Sequence, residues 1–191
     1  MVTEIAPTER AAIMRITFPD SKSYVVVDAF DKGSYVKIMP KERMIVGYTT
    51  KNSGGVPHNF KNYFVMKFDK DFTYTAAVTD GRINTADVKA ECNQAGGIVG
   101  FKTIRGEQVN VRIASSFISE EQALENLKEL GSDSFDEVKA RGCNTWNDVL
   151  GRIEVKSDNI DHLRTFYSCL YRSTLFPRRL HEFDALGRMV H

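Results

Sequence analysis

Residues 52–72, NSGGVPHNFKNYFVMKFDKDF, join a polar loop with paired glycines to a segment in which apolar residues alternate. Phe64, Met66 and Phe68 fall on one face of an extended chain, because successive side chains of a strand point to opposite sides. The loop supplies a sharp turn before this segment, since glycine adopts backbone conformations that other residues avoid. The stretch therefore predicts a strand with one apolar face in a sheet.

The same period of two extends from residue 10 to about residue 117, interrupted by turn residues roughly every eight to twelve positions. About nine strands are predicted: residues 12–18, SYVVVDAF, SYVKIM, RMIVGYTT, NYFVMKFD, FTYTAAVT, DVKAEC, GIVGFKTI and QVNVRIASSF. Many short strands with clusters of Gly, Asp, Asn or Pro between them are typical of an antiparallel β-sandwich.

The period changes to that of helices at Ser119. Gln122 follows this capping serine by three residues, and one helical face then collects Ala123, Leu124, Leu127 and Leu130. Gly131 ends this predicted helix. A second capping box, Ser134 with Glu137, opens a longer helix. The chain is therefore predicted to be mainly β with a C-terminal α region.

Two apolar stripes mark the remaining helices. The longer helix presents Phe135, Val138, Gly142, Trp146, Val149 and Ile153, with Trp146 as the expected packing anchor. The third helix presents Ile160, Leu163, Tyr167, Leu170, Tyr171 and Thr174, and Pro177 is predicted to stop it. The last fifteen residues, PRRLHEFDALGRMVH, are predicted to form a loop.

Composition excludes several classes of protein. Lys and Arg number 26 against 25 Asp and Glu, so no strong field would attract nucleic acid. No apolar run reaches the roughly 20 residues of a membrane helix. Cys92, Cys143 and Cys169 are far apart and odd in number, which predicts buried free thiols rather than a disulfide framework.

No motif in the sequence specifies catalytic chemistry. The run Gly96–Gly100, GGIVG, is followed by a predicted strand rather than a helix, so a tight turn or bulge is favoured over a phosphate loop. The four histidines lack metal-ligand spacing, and no GxSxG elbow is present. Cys143 and Cys169 lie in helical patterns, where an inert thiol is favoured over a nucleophile.

One cluster in an irregular segment could face a sugar. Glu182 and Asp184 stand beside Arg178, Arg179 and His181, and glycoside hydrolysis uses a pair of carboxyl groups. A solvated loop with local ion pairs is the favoured interpretation, and a role toward substrate is the alternative. The aromatic residues Phe166, Tyr167 and Tyr171 could stack on a sugar, but their helical spacing favours the core.

Five ordered segments together resemble glycoside hydrolase family 92, calcium-dependent exo-acting α-1,2-mannosidases. The segments are TERAAIMRITFP, VVDAFDKGSYVKI, GYTTKNSGGVPHNFKNYFVMKFDKDF, WNDVLGRIEV and FYSCLYRSTLFPRRLHEFDALGRMVH. The resemblance runs nearly end to end. It implies an N-terminal β-sandwich, a helical linker and an (α/α)6 barrel.

The resemblance also implies domain boundaries and an incomplete catalytic region. Residues 1–118 correspond to part of the sandwich, 119–157 to the helical linker, and 158–191 to the start of the barrel, including its first helix. Members of the family invert the anomeric centre with an acid, a base and a calcium ion. All of these groups are expected beyond His191, so no catalytic, substrate-binding or metal-binding residue is assigned here, and this chain alone is expected to be inactive.

The family resemblance also implies a location and partners for the parent protein. A periplasmic, cell-surface or secreted parent acting on mannose-containing glycans is implied. Self-association is expected through the exposed apolar faces of residues 134–175, and a monodisperse monomer in light scattering would contradict it. The alternative function is a noncatalytic sandwich module that binds carbohydrate or protein, with the helices as a docking arm.

Overall fold

A computed structural model describes residues 1–175 and 181–191 of the chain. The first eleven strands, β1–β11, are Val2–Pro7, Ala11–Thr17, Lys22–Asp28, Ser34–Met39, Met44–Thr49, Asn62–Phe68, Tyr74–Thr79, Arg82–Asn84, Lys89–Cys92, Ala95–Lys102 and Gln108–Ser116. Helix α1 (Glu120–Asn126) leads into a 3-10 helix (Leu127–Leu130), followed by α2 (Phe135–Leu150) and α3 (Ile160–Ser173). Strands β12 (Glu182–Phe183) and β13 (Met189–Val190) form a hairpin.

The strands form two antiparallel sheets that face each other. The seven-stranded sheet has the order β1-β2-β11-β6-β5-β4-β9, and the four-stranded sheet has the order β3-β10-β7-β8. Their inner faces share one core, in which the ring of Phe68 lies 5.5 Å from that of Phe101. The predicted fold class, an antiparallel β-sandwich followed by helices, is confirmed.

Strand β6 has the predicted alternation, and it is buried on its other face as well. Phe64, Met66 and Phe68 pack into the core between the sheets. Val65, on the opposite face, is completely buried against Ala123 of α1. The seven-stranded sheet is therefore covered on one face by its partner sheet and, over part of the other face, by helix α1.

Helix α2 also covers part of the outer face of the seven-stranded sheet. Phe135 and Val138 of α2 pack with Ile13 of β2 in a separate apolar cluster on the outer face of the same sheet. Both predicted capping serines are present, because Ser119 accepts from the Gln122 amide and Ser134 forms a reciprocal capping box with Glu137. The first turns of both helices are thus held by the residues that the sequence pattern indicated.

Helix α3 differs from α1 and α2, because none of its residues is buried. Trp146 of α2 packs edge-on against Tyr171 of α3, with ring centroids 4.6 Å apart, and remains 37% exposed. The predicted anchor therefore joins two helices and does not enter the core. The expected self-association through these faces stays a prediction.

Several local predictions are wrong. Strand β1 precedes the region assigned to strands, and the residues Gly96–Gly100 lie inside β10 rather than in a turn or bulge. Helix α2 ends before Ile153, and the C-terminal loop contains the β12–β13 hairpin. Cys143 and Cys169 are free but exposed, because they lie on the outward faces of α2 and α3. Pro177 lies outside the described residues.

Gly47 provides a direct test of the sheet packing. A Cβ atom at this position would lie 2.1 Å from the Tyr35 carbonyl oxygen and 2.7 Å from a ring carbon of Phe64. We expect Gly47→Ala to lower the free energy of unfolding by roughly 1–3 kcal/mol, because the overpacked strand must shift. Urea denaturation of the purified chain measures this change.

Gly142 in helix α2 supplies the matched control. A Cβ atom on Gly142 would meet only the Pro7 carbonyl oxygen, at 3.9 Å, which is an ordinary contact. Gly142→Ala should therefore leave stability unchanged or raise it by about 1 kcal/mol through helix propensity. Equal effects of the two substitutions would show that the close packing at Gly47 does not contribute to stability.

Candidate functional site

The C-terminal hairpin docks where the sandwich meets helix α1. Glu182 of β12 is 8% exposed, and its carboxylate accepts hydrogen bonds from the Phe117 backbone N–H at 3.0 Å and the Asn126 side-chain amide at 2.6 Å. Gln122 of α1 donates to the Phe183 carbonyl oxygen at 2.7 Å. Three separate parts of the chain are therefore joined through buried polar groups, which we call the hairpin junction.

Arg10 completes the hairpin junction from the sandwich side. Its guanidinium donates to Glu129 at 3.0 Å and to the His181 carbonyl oxygen at 2.7 Å. Glu129 also accepts from the Thr8 hydroxyl at 2.7 Å and from the Arg10 backbone N–H at 2.9 Å. A charge-assisted network of this kind fixes side-chain positions more firmly than isolated surface ion pairs do.

Asp184 organises the turn of the hairpin. Its carboxylate accepts from the backbone N–H groups of Leu186 and Arg188, both at 2.9 Å, and from the Arg188 guanidinium at 2.8 Å. Hydrogen bonds from the Arg188 backbone and side chain lower the pKa of Asp184, so it stays ionised to lower pH. Gly187, with φ of 73°, provides the left-handed residue that this turn requires.

This geometry decides how the acidic cluster can act. Both oxygens of Glu182 accept hydrogen bonds from this chain, and the lowered pKa of Asp184 is the opposite of what a general acid needs. Glu182 and Asp184 hold the hairpin through hydrogen bonds within this chain, and a role toward substrate stays a prediction. The predicted partners Arg178 and Arg179 lie outside the described residues.

The other sequence candidates are dispersed. Phe166, Tyr167 and Tyr171 lie on α3 but none is buried, so their predicted place in the core is wrong. The Tyr167 hydroxyl donates to the Ile153 carbonyl oxygen at 3.1 Å, which holds α3 to the segment that follows α2. His181 borders a cleft of about 210 Å³ at the hairpin junction, together with His191.

An aromatic row on the seven-stranded sheet is not evident from the sequence. Tyr35, Tyr48 and Tyr63 lie on neighbouring strands in register, with ring centroids 5.7 and 5.9 Å apart. Glu120, at the start of α1, interacts electrostatically with Tyr35 of this row, and burial raises the pKa of the Glu120 carboxyl group. The ammonium of Lys61 lies 3.8 Å from the Tyr48 ring centroid, so that ring face is already occupied. The sequence alone could not predict this aromatic row, because the row depends on the register between neighbouring strands.

Among residues 1–175 and 181–191, no group of three or more His, Cys, Asp or Glu side chains is placed to hold a metal ion. None of the helices in this part of the chain combines the length and apolar character of a membrane span.

Two family models match the chain. The glycosyl hydrolase family 92 N-terminal domain matches residues 1–116, and the glycosyl hydrolase family 92 catalytic domain matches residues 122–188. The chain belongs to glycosyl hydrolase family 92. In this family 92 chain, the hairpin junction thus links the region matched by the N-terminal domain to the region matched by the catalytic domain.

Solved structures agree with this assignment. A family GH92 inverting mannosidase of Bacteroides thetaiotaomicron VPI-5482 is 37% identical, with a TM-score of 0.94 over 99% of this chain and 26% of that chain. A GH92 α-mannosidase of the same species, solved with mannoimidazole, is 24% identical with a TM-score of 0.83 and shares the fold. The family 92 chain spans about a quarter of each of these structures.

A curated relative covers a shorter region. An uncharacterized secreted glycosidase of Arthroderma benhamiae is 38% identical over 76 residues, which is 37% of this chain and 10% of that protein. The family 92 chain therefore spans only a small part of this relative's length.

Substitution of Glu182 tests the hairpin junction. Glu182→Ala removes the acceptor of the Phe117 N–H and of one N–H of the Asn126 amide, whose other bond is to the Ser115 carbonyl oxygen, and a buried unsatisfied donor costs about 1–3 kcal/mol. We expect faster hydrogen exchange at Phe117 and in β12–β13, measured by mass spectrometry, with unchanged exchange in β6.

Asp184→Ala is the matched control, because the Asp184 carboxylate accepts hydrogen bonds from Leu186 and Arg188 of its own turn. It should loosen the hairpin turn while leaving exchange at Phe117 unchanged. If Glu182→Ala left the Phe117 amide as protected as in the unmodified chain, the anchoring role of Glu182 would be wrong.

Proposed function

We propose that this chain forms the sandwich and the start of the catalytic domain of an α-mannosidase. The parent enzyme would hydrolyse terminal α-1,2-linked mannose of glycans, with inversion and with calcium as cofactor. The observation that carries the proposal is the match along 99% of the chain, at 37% identity, to a structure described as an inverting mannosidase.

The roles proposed for the described residues are structural. Glu182 and Arg10 hold the hairpin against the sandwich, and α1 and α2 cover the outer face of the seven-stranded sheet. We place the catalytic acid, the base and the calcium ligands of the parent enzyme outside this chain. Supporting this placement, the oxygens of Glu182 accept hydrogen bonds from the chain itself, and the pKa of Asp184 is lowered.

The proposed location is periplasmic, cell-surface or secreted. Its support is the secreted glycosidase of Arthroderma benhamiae, which is similar over 76 residues. Mannose-containing glycans outside the cytoplasm would then be the substrate.

A chimera tests the proposed function. The region of the Bacteroides thetaiotaomicron inverting mannosidase that matches this chain would be replaced by the 191 residues, with the remaining three quarters kept. We expect the chimera to release mannose from α-1,2-mannobiose, because a sandwich of the same family should support the barrel. Chelation should stop turnover, and NMR of the fresh product should show the β-anomer.

Two controls accompany the chimera. The 191-residue chain alone should release no mannose, with or without calcium, because precise positioning of all the reacting groups is needed for turnover. A chimera carrying Glu182→Ala should be less stable than the unmodified chimera. The mannose that it releases should still be the β-anomer. Turnover by the isolated chain would contradict the placement of the catalytic groups, and a folded but inactive chimera would contradict the proposed function.

A further inference from the structure

The outer face of the four-stranded sheet carries exposed apolar side chains. Tyr24 and Val26 of β3 are 50% and 65% exposed, whereas Val25 and Val27, which alternate with them, pack into the core. Helices α1 and α2 pack on the other sheet of the sandwich. This face therefore points away from the helical part of the chain.

The Tyr24 ring lies against a glycine of the neighbouring strand. Gly100 of β10 lies in register between Tyr24 of β3 and Tyr74 of β7. A Cβ atom on Gly100 would lie 2.9 Å from the ring of Tyr24 and 2.9 Å from the Cβ of Tyr74. The Tyr24 ring thus occupies the space that a side chain would need, with the edge of one ring against the face of the other at 88°. Tyr24 is 50% exposed, so part of its ring is available to a ligand as a platform.

Two lysines lie opposite each other at the end of this platform. Lys22 of β3 and Lys102 of β10 are direct cross-strand partners, and both are exposed. Neither ammonium has an ion-pair partner within residues 1–175 and 181–191. Like charges placed directly opposite destabilise a sheet, so an anion bound between them would relieve an unfavourable interaction.

The aromatic platform and the lysine pair border the same groove. It has a volume of about 440 Å³, and its lining includes Tyr24, Tyr74, Lys22, Lys102 and the hydroxyl-bearing Thr73. An aromatic face packs against the apolar face of a pyranose ring, and hydroxyl and ammonium groups bind its polar substituents. We propose that this groove binds an acidic glycan, with a sugar ring on Tyr24 and an anionic substituent between Lys22 and Lys102.

Packing within the sheet explains the position of the Tyr24 ring over Gly100, but it does not explain the lysine pair. Covering Gly100 with an aromatic ring would strengthen the sheet by itself. It gives no reason for two unpaired lysines in register beside the ring, and charge complementarity with an anion does. The site goes beyond the proposed catalytic role, because it lies on the sheet opposite to the one that carries the helices.

Mannose 6-phosphate is the probe, since it joins a pyranose ring to a phosphate group. We expect NMR titration of the 191-residue chain to show binding at least about tenfold tighter than for mannose or inorganic phosphate alone. Tyr24→Ala should weaken binding by about tenfold or more, and Tyr24→Phe should retain it. The double substitution Lys22→Gln and Lys102→Gln should abolish the preference over mannose.

Tyr48→Ala on the other sheet is the matched control, because Lys61 already occupies its ring face. It should leave the affinity unchanged. Equal binding of inorganic phosphate and mannose 6-phosphate, or full binding by the Tyr24→Ala chain, would overturn the proposal. Should Tyr24→Ala fail to fold, the lysine variants decide the outcome, since they leave both rings in place; an undiminished preference for mannose 6-phosphate would then overturn it.

Discussion

Burial of the seven-stranded sheet on both faces is the constraint on which the rest of the structure depends. Its inner face packs on the four-stranded sheet, and its outer face is covered by Ala123 of α1 near the middle and by Phe135 and Val138 of α2 at the β1–β2 edge. A sheet with two apolar faces cannot leave one in water without a large loss of hydrophobic stabilisation. Strand β6 shows this most clearly, because Val65 and Phe68, on opposite faces, are both buried.

The outer face of the seven-stranded sheet positions the helical part of the chain. Once α1 lies on β11, β6 and β5, its polar side is presented to the hairpin, and Gln122 and Asn126 become the partners of β12. The buried Glu182 carboxylate is paired with the Asn126 amide and the Phe117 backbone N–H, since an unpaired buried carboxylate is costly. Apolar packing therefore places the helix, and the hydrogen-bond network then fixes the hairpin on it.

Sequence patterns predicted what depends on neighbours along the chain. The alternation in β6, the capping residues Ser119 and Ser134, and the division into sheet and helices needed only local periodicity. The hairpin junction could not be predicted, because Glu182 and Phe117 are far apart in sequence and a carboxylate has no periodic signal. Tyr24 and Gly100 likewise meet only through strand register. Burial of Val65 depended on what would cover the outer face, which alternation does not specify.

The most direct measurement is native-state hydrogen exchange of the amides in α1 and β6. If packing on the outer face of the seven-stranded sheet holds the helical region, the Ala123 and Val65 amides should exchange through the same opening, with equal free energies and equal dependence on denaturant. Exchange of α1 through a local opening, with β6 still fully protected, would show that the helix is not required by the sheet.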